Sequence, residues 1–248
     1  MKPSARARAK SGWLAQAYAY GREGAPPLVY AGIDLRDRPD HPDRRFDLSV
    51  LAGTTVVAIG DEDSGVGDLG SYALGLRQPI AGRVEVFGAP VGALPYYDLL
   101  MFRRRIGYHP VGDGLLQNLP LRDNVALPLR FASDHRLAEV DGRVGELMES
   151  FRLRAVAGLR PAQANEEDRR RAAIARAVAL DPDLVVLEAP FDGLTGRAAQ
   201  DLLDKASRRD DGSRRAVFVT AQDLVPSVRR LVDRVIKLVD GAAVEETP

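Results

Sequence analysis

The residues best suited to chemistry stand at the end of an apolar run, where one carboxylate is followed by an alanine. Residues 184–187 are Leu, Val, Val and Leu, and they lead into Glu188 and then Ala189. A carboxylate at a strand end can help to hold a metal ion, and a second one beside it can act as a general base. Ala189 can neither accept a proton nor orient a water molecule. The stretch is therefore either a site that has lost its base or a buried strand with an ordinary acidic end.

A second candidate site lies in residues 60–68, which follow a β-branched run and precede a predicted helix. Gly60 and Gly65 are spaced like the two glycines of the phosphate-binding pattern G-x-x-x-x-G-K-[ST]. Val66 stands at the lysine position and Gly67 at the hydroxyl position, so the cation for the outer phosphates and the hydroxyl that holds Mg²⁺ are both missing. Backbone N–H groups remain as an anion site, and a plain turn is the alternative interpretation. The other candidate residues of the segment are Ser64 and Asp68.

Acidic side chains crowd the same segment. Asp61, Glu62 and Asp63 precede Gly65, and Asp68 follows it. Two like charges about 5 Å apart repel by roughly 3 kcal/mol at an effective dielectric constant of about 20. A triphosphate would meet several such pairs. We therefore expect no bound nucleotide and no metal ion at this site.

Strand-like and helix-like segments alternate around these candidates. Apolar and β-branched runs predict strands at about residues 28–35, 46–51, 54–59, 79–88, 184–187 and 216–220. Apolar residues at three- and four-residue steps predict helices from residue 67 to about 76, over 99–159, 168–180 and 197–208, and again before a hairpin at 240–241. This alternation predicts an α/β fold with a mainly parallel sheet, and the helical middle predicts a subdomain.

The composition argues against several classes of function. The chain has 248 residues with 35 Lys plus Arg and 35 Asp plus Glu, so its net charge gives no reason to expect a nucleic-acid partner. It has no cysteine and three histidines, which argues against a zinc site. No apolar run approaches the ~18 residues of a membrane span. We expect residues 1–27 to be a flexible basic leader, in which Arg6, Arg8 and Lys10 could touch anionic lipid or a partner.

From about residue 28 to residue 246 the sequence resembles the nucleotide-binding domain of ATP-binding-cassette (ABC) transporters. Four colinear segments carry this resemblance: LRQPIAGRVEVFG, RRRIGYHPVGDGLLQNLPLRDNVALPL, DRRRAAIARAVALDPDLVVLEAPFDGL and VDRVIKLVDGAAVEE. The resemblance implies a P-loop NTPase-like core with a mainly parallel sheet, an antiparallel β part and a helical subdomain inserted at about 112–168. In style the sequence is closest to lipid-transport ATPases of the maintenance-of-lipid-asymmetry and Mce type.

The resemblance also assigns roles to single positions, and most of these positions hold other residue types. Glu188 stands where an acidic residue holds Mg²⁺ through water, and Ala189 stands where a glutamate polarises the attacking water. The Q-loop glutamine falls on Val111. The switch histidine falls on Ala221 or Gln222.

Three further motifs of the family also differ. The signature L-S-G-G-Q falls on Ala164, Asn165, Glu166, Glu167 and Asp168. The aspartate of the D-loop falls on Thr195. An aromatic residue that would stack on adenine is expected near residues 36–38, where Asp37 is the nearest match.

The sequence is compatible with three functions. The chain could be a non-hydrolysing subunit of a membrane transport complex, at the inner face of the cell membrane. It would then contact a permease through Leu115, Leu116 and Leu119, and pair with itself or with a competent ATPase. It could instead be a divergent ATPase that uses Mg-ATP, or a regulatory scaffold that reuses the fold.

Overall fold

The computed structural model describes residues 21–34, 45–132, 136–239 and 242–246. Most of the predicted leader, Asp37 and the predicted turn at residues 240–241 lie outside these ranges. Within them the chain forms two β-sheets and six α-helices. No helix of the described residues is long and apolar enough to cross a membrane.

The larger sheet has six strands in the order β10-β9-β3-β8-β7-β6, and all neighbours are parallel except β10 and β9. Its strands are β3 (Thr55–Ile59), β6 (Ile106–His109), β7 (Leu184–Glu188), β8 (Ala216–Ala221), β9 (Arg234–Val239) and β10 (Ala242–Glu246). The three central strands are buried along their whole length, as expected for a parallel sheet covered on both faces. The carboxyl ends of the parallel strands meet at one edge, which is where the candidate residues lie.

The smaller sheet is antiparallel, in the order β2-β1-β4-β5. Its strands are β1 (Leu28–Asp34), β2 (Phe46–Val50), β4 (Ala81–Val86) and β5 (Ala89–Pro90). Tyr30 of this sheet packs against Phe218 of β8 with ring centroids 5.7 Å apart. Because strand side chains alternate between faces, Val56 and Phe218 face this sheet, whereas Val57 and Val217 face the helices.

The helices are α1 (Leu69–Ala73), α2 (Tyr96–Arg103), α3 (Leu121–Ala132), α4 (Leu137–Ser150), α5 (Glu166–Val178) and α6 (Gly196–Ser207). Helices α3, α4 and α5 pack against one another between β6 and β7 in the chain. The structure thus confirms the predicted class: an α/β core, an antiparallel part and a helical subdomain.

Three local predictions were wrong. The stretch 99–159 is not helical throughout, because residues 106–109 form β6, which is too short to show a period and depends on pairing with the distant β7. The segment after β8 forms the 3-10 turn Pro226–Leu231 instead of an α-helix. Helix α1 ends at Ala73 because Gly75 adopts φ +61° and the N–H of Leu76 bonds back to Ser71 at 2.9 Å.

Candidate functional site

The loop that follows β3 folds into two tight turns. A 3-10 turn at Glu62–Ser64 and another at Val66–Asp68 are joined by Gly65, whose φ of +78° lies in the left-handed region. Ser64 is 4% exposed and Val66 is 6% exposed. A Cβ on Gly60 would lie 2.3 Å from the hydroxyl of Ser64, so the serine side chain covers the backbone of Gly60.

The hydroxyl of Ser64 occupies the interior of this loop. It donates to the carbonyl of Asp61 at 2.6 Å and accepts the N–H of Val66 at 3.2 Å. The N–H of Ser64 bonds to Asp61 at 3.2 Å, and the N–H of Asp68 bonds to Gly65 at 3.1 Å. Several backbone donors that could cradle an anion are therefore used within the loop itself.

The acidic side chains of the loop face outward. Asp61, Glu62 and Asp63 are exposed, and Gly67 beside them has open space at its Cβ position. Asp68 forms an ion pair with Arg77. The crowding of negative charge expected from the sequence is thus present on the surface of the loop.

Glu188 lies at the end of β7 and is 5% exposed. Its Oε2 accepts the hydroxyl of Tyr108 at 2.9 Å and the N–H of Val111 at 3.3 Å. Its Oε1 is buried and has no hydrogen-bond partner among the residues that the structure describes. A Cβ on Gly70 would lie 2.1 Å from this oxygen, so α1 packs directly on the carboxylate. Burial raises the pKa of Glu188 and Asp68 adds to the rise, although the bonds from Tyr108 and Val111 oppose it.

Ala189 adopts φ +44°, in the region that L-residues rarely enter. Its N–H bonds to Thr220 at 2.8 Å, and its carbonyl accepts the guanidinium of Arg170 at 3.2 Å. Arg170 is 8% exposed and also contacts the carbonyl of Asp192. The chain after β7 is therefore held by the backbone groups of Ala189 and Thr220 and by Arg170.

The remaining predicted positions of this edge are brought close to the loop. Val111 is 66% exposed, while its N–H bonds to Glu188. Gln222 is exposed, and its side-chain amide lies 3.5 Å from Glu62. Ala221 ends β8 and accepts the N–H of Gly60 at 3.1 Å. The loop, Glu188, Val111 and Gln222 thus form one group at the carboxyl edge of the sheet.

The segment at the signature position starts helix α5. Asn165 is the N-cap and accepts the N–H of Asp168 at 2.8 Å, while Ala164 before it is buried. Glu166 lies 3.6 Å from Arg170, and Glu167 lies 2.5 Å from Arg171. The three acids stand in the first helical turn, where they complement the helix dipole. Thr195, at the D-loop position, caps α6 in a similar way.

Two residues that the sequence did not single out belong to this edge. Tyr108 bonds to Glu188, and His109 is fully buried with both ring nitrogens lacking a partner among the described residues. Burial lowers the pKa of His109 to about 4, and the charge of Arg170 adds to the shift. Both residues lie on β6, the strand that periodicity did not predict.

The predicted permease-contact residues differ in exposure. Leu116 is 46% exposed and Leu119 is half-buried, but Leu115 is 5% exposed and belongs to the core. Leu115 was named as a contact on the condition that its side chain is exposed, and it does not meet that condition. Buried Asn124 shapes the segment: it accepts the N–H of Leu116 at 2.7 Å and donates to the carbonyls of Leu116, Leu119 and Pro120 at 3.1 to 3.2 Å.

The fold and this edge define an α/β cassette in which a loop, an acidic strand end and a capped helix surround the carboxyl ends of parallel strands. Residues 44–192 match the family model described as ABC transporter. The chain belongs to the ABC transporter family of ATP-binding domains.

Two curated relatives show where similar sequences occur. The methionine import ATP-binding protein MetN of Caulobacter vibrioides is 35% identical over 201 residues, which cover 80% of this chain and 59% of that protein. The sulfate/thiosulfate import ATP-binding protein CysA of Thermosynechococcus vestitus is 29% identical over 178 residues, covering 71% and 51%. This chain thus spans about half to three-fifths of the length of these relatives.

Solved structures show the same fold. The dimeric post-hydrolysis state of the cassette MJ0796, bound to ADP and Pi, has a TM-score of 0.76 at 24% identity and covers 89% of this chain and 98% of its own. The protein cbiO1 from Clostridium perfringens, part of the cbiONQ complex, has a TM-score of 0.73 at 15% identity, covering 88% and 87%.

Proposed function

We propose that this chain is a non-hydrolysing ABC subunit of a membrane transport complex. The observation that carries this proposal is the hydroxyl of Ser64 inside the loop, where it accepts the N–H of Val66 at 3.2 Å. A loop that binds phosphate must keep such N–H groups free and pointing toward the anion. In this chain the donor is used by a neighbouring side chain, and no lysine compensates for its loss.

Mg-ATP does not fit the residues of this edge. A bound magnesium ion needs carboxylate or hydroxyl oxygens that are free to face it or its waters. Gly67 supplies no hydroxyl, and Glu188 is engaged by Tyr108 and Val111 and covered by α1. Its raised pKa further disfavours the charged form that a cation requires.

Leu116 and the segment around it support the transport role. Hydrogen bonds from Asn124 and Arg176 hold the segment from residue 113 to 120. Arg176 donates to the carbonyls of Gly114 and Asp113 at 2.8 and 3.0 Å. A preformed segment that exposes an apolar anchor, here Leu116, can receive an amphipathic helix without requiring nucleotide. We assign this surface to a cytoplasmic helix of a permease, which places the chain at the inner face of the membrane.

The acids in the loop and in α5 bear on the second partner. In the family dimer each nucleotide lies between the phosphate loop of one chain and the signature of the other. A homodimer of that form would set Asp61, Glu62 and Asp63 of one copy near Glu166 and Glu167 of the other. The ion pairs of Glu166 with Arg170 and of Glu167 with Arg171 reduce this repulsion, and the part that remains favours a competent ATPase over a second copy as the partner.

Nucleotide binding and turnover test the proposal directly. We expect calorimetry to detect no Mg-ATP binding at the loop below about 1 mM, and the purified chain to release no phosphate above a mock-purified control. Micromolar Mg-ATP binding that persists when residues outside the loop are substituted would establish the divergent ATPase instead. The position of Glu188 is the main support for that alternative. The relatives named above are methionine and sulfate importers, so the expectation of a lipid substrate gains no support from them.

A further inference from the structure

A cavity of about 870 Å³ lies apart from the loop and from Glu188. It is bounded by Arg152 in the turn after α4, the first turns of α5, the outer side of α6 and the 3-10 turn Pro226–Leu231. Its volume lies within the range of small-molecule sites. Of the positions that correspond to the family's nucleotide-site motifs, only Glu167 and Thr195 are among the lining residues.

The carboxylates that line this cavity are already paired. Arg171, whose side chain is 7% exposed, lies 2.5 Å from Glu167 and 2.9 Å from Asp201. Asp204 lies 2.8 Å from Arg208. The negative charge of the lining is therefore compensated by cations of the chain itself.

Three arginines of the lining are not compensated. Arg152, Arg197 and Arg230 are exposed, and their side chains make no ion pair or hydrogen bond with any part of the chain that the structure describes. Arg152 is presented by a left-handed backbone, at φ +58°. The three guanidinium groups therefore leave an excess of positive charge on the wall of one concave site.

We propose that this cavity binds a small polyanion that carries adjacent phosphate groups. Guanidinium groups bind phosphate through paired N–H donors, and three of them around one cavity suit an anion of several charges. The hydroxyl of Thr195 adds a neutral donor on the same wall. The volume of this open cleft is in the range of small-molecule sites. This site is separate from the loop, so the proposal does not depend on whether the loop binds ATP.

Inorganic tripolyphosphate without Mg²⁺ is the first probe, because it carries the proposed chemistry and no base. We expect calorimetry at low ionic strength to show saturable binding below about 1 mM, weakened by added KCl. The double variant Arg197→Gln/Arg230→Gln should lower the affinity about tenfold or more. The double lysine variant, Arg197→Lys/Arg230→Lys, keeps the charge without the paired donors. Its affinity for tripolyphosphate should lie between those of the unchanged chain and the glutamine variant. Arg45→Gln removes an exposed arginine outside the cavity and should change nothing.

A second comparison separates the sources of such an anion. Mg-free ADP that binds more tightly than pyrophosphate identifies a nucleoside phosphate, and equal affinities identify an inorganic one. The glutamine double variant must weaken both, and its circular dichroism and melting temperature should match those of the unchanged chain because both side chains are exposed and unpaired. The proposal is overturned if tripolyphosphate shows no saturable binding, or if it binds both double variants as tightly as the unchanged chain.

Discussion

The hydroxyl of Tyr108 donates a 2.9 Å hydrogen bond to Oε2 of Glu188 and so joins β6 to the acidic end of β7. The same oxygen accepts the N–H of Val111, from the segment that leaves β6. The carboxylate that the family resemblance assigns to Mg²⁺ is thus used to tie two neighbouring strand ends together. In this chain Glu188 acts as a structural link. Removing one of its hydrogen bonds should lower the free energy of unfolding.

Tyr108→Phe should lower the free energy of unfolding by about 2 kcal/mol, because a hydrogen bond to a charged group is lost. The tyrosine bond favours the ionised form of Glu188, so the loss should be larger at pH 8 than at pH 4, which lies below the raised pKa of this carboxyl. Urea unfolding at both pH values measures this. Tyr97→Phe is the control, because Tyr97 is 79% exposed. Equal losses at the two pH values would show that the bond does not act on the charge of Glu188.

Single substitutions that restore family residues should not restore hydrolysis. Val66→Lys places an ammonium group at a loop position that is 6% exposed, and the Ser64 hydroxyl already occupies the interior of that loop. Ala189→Glu adds a base, but it has no bound substrate to act on. Phosphate release by either purified variant, compared with a mock-purified control, tests this. Turnover by one of them would mean that the loop opens to bind Mg-ATP.

His109 should make the protein less stable in mild acid. Its pKa is about 4 in the folded chain against 6.5 for an unperturbed histidine, so the unfolded chain binds the proton first as pH falls. The contribution of neutral His109 to the free energy of unfolding is fully present above pH 6.5. It is lost as the pH falls to about 4, which lowers the free energy of unfolding by about 3 kcal/mol. His109→Leu should flatten this part of the pH profile while staying within about 1 kcal/mol of the unchanged chain at pH 8. Parallel pH profiles of the two proteins, measured by urea unfolding, would contradict the assignment.

Asp183 should be among the residues on which folding depends most. Burial opposes its charge, but Arg105 and Arg209, each at 2.9 Å, outweigh burial and lower its pKa. Asp183→Ala leaves those cations without this carboxylate, and we expect a loss of about 3 kcal/mol in unfolding experiments. Asp141→Ala breaks an exposed pair with Arg122 and should cost less than about 1 kcal/mol. Similar losses in the two variants would contradict this ranking.

The sequence predicted the elements that carry a long local signal. The buried strands β3, β7 and β8 each contain an unbroken apolar run, and helix α5 combines strong helix formers with a capping Asn165. Strand β6 has four residues and gains its structure by pairing with β7, some eighty positions further along the chain. Tyr108 was missed for this reason, since the bond to Glu188 exists only once the two strands are neighbours.

Two features of the candidate site depend on side-chain packing that spacing does not reveal. The closure of the loop rests on the rotamer of Ser64, whose hydroxyl turns inward to Asp61 and Val66. Leu115 and Leu116 are adjacent and of the same type, yet only Leu115 enters the core. The family resemblance located both regions, but only the three-dimensional contacts decide which atoms are free to bind a partner.

The contact with a permease can be tested on Leu116 alone. Leu116→Asp changes a side chain that is 46% exposed, so it should leave the melting temperature nearly unchanged while abolishing co-purification with a polytopic membrane protein after mild detergent extraction. Leu137→Asp is the matched control, because Leu137 is 78% exposed and lies outside the segment. Leu115→Asp should instead unfold the chain, since it buries a charge in the core. If tagged protein from its native host recovers only soluble partners, or if Leu116→Asp recovers the same membrane protein as the control, the transport role gives way to that of a scaffold.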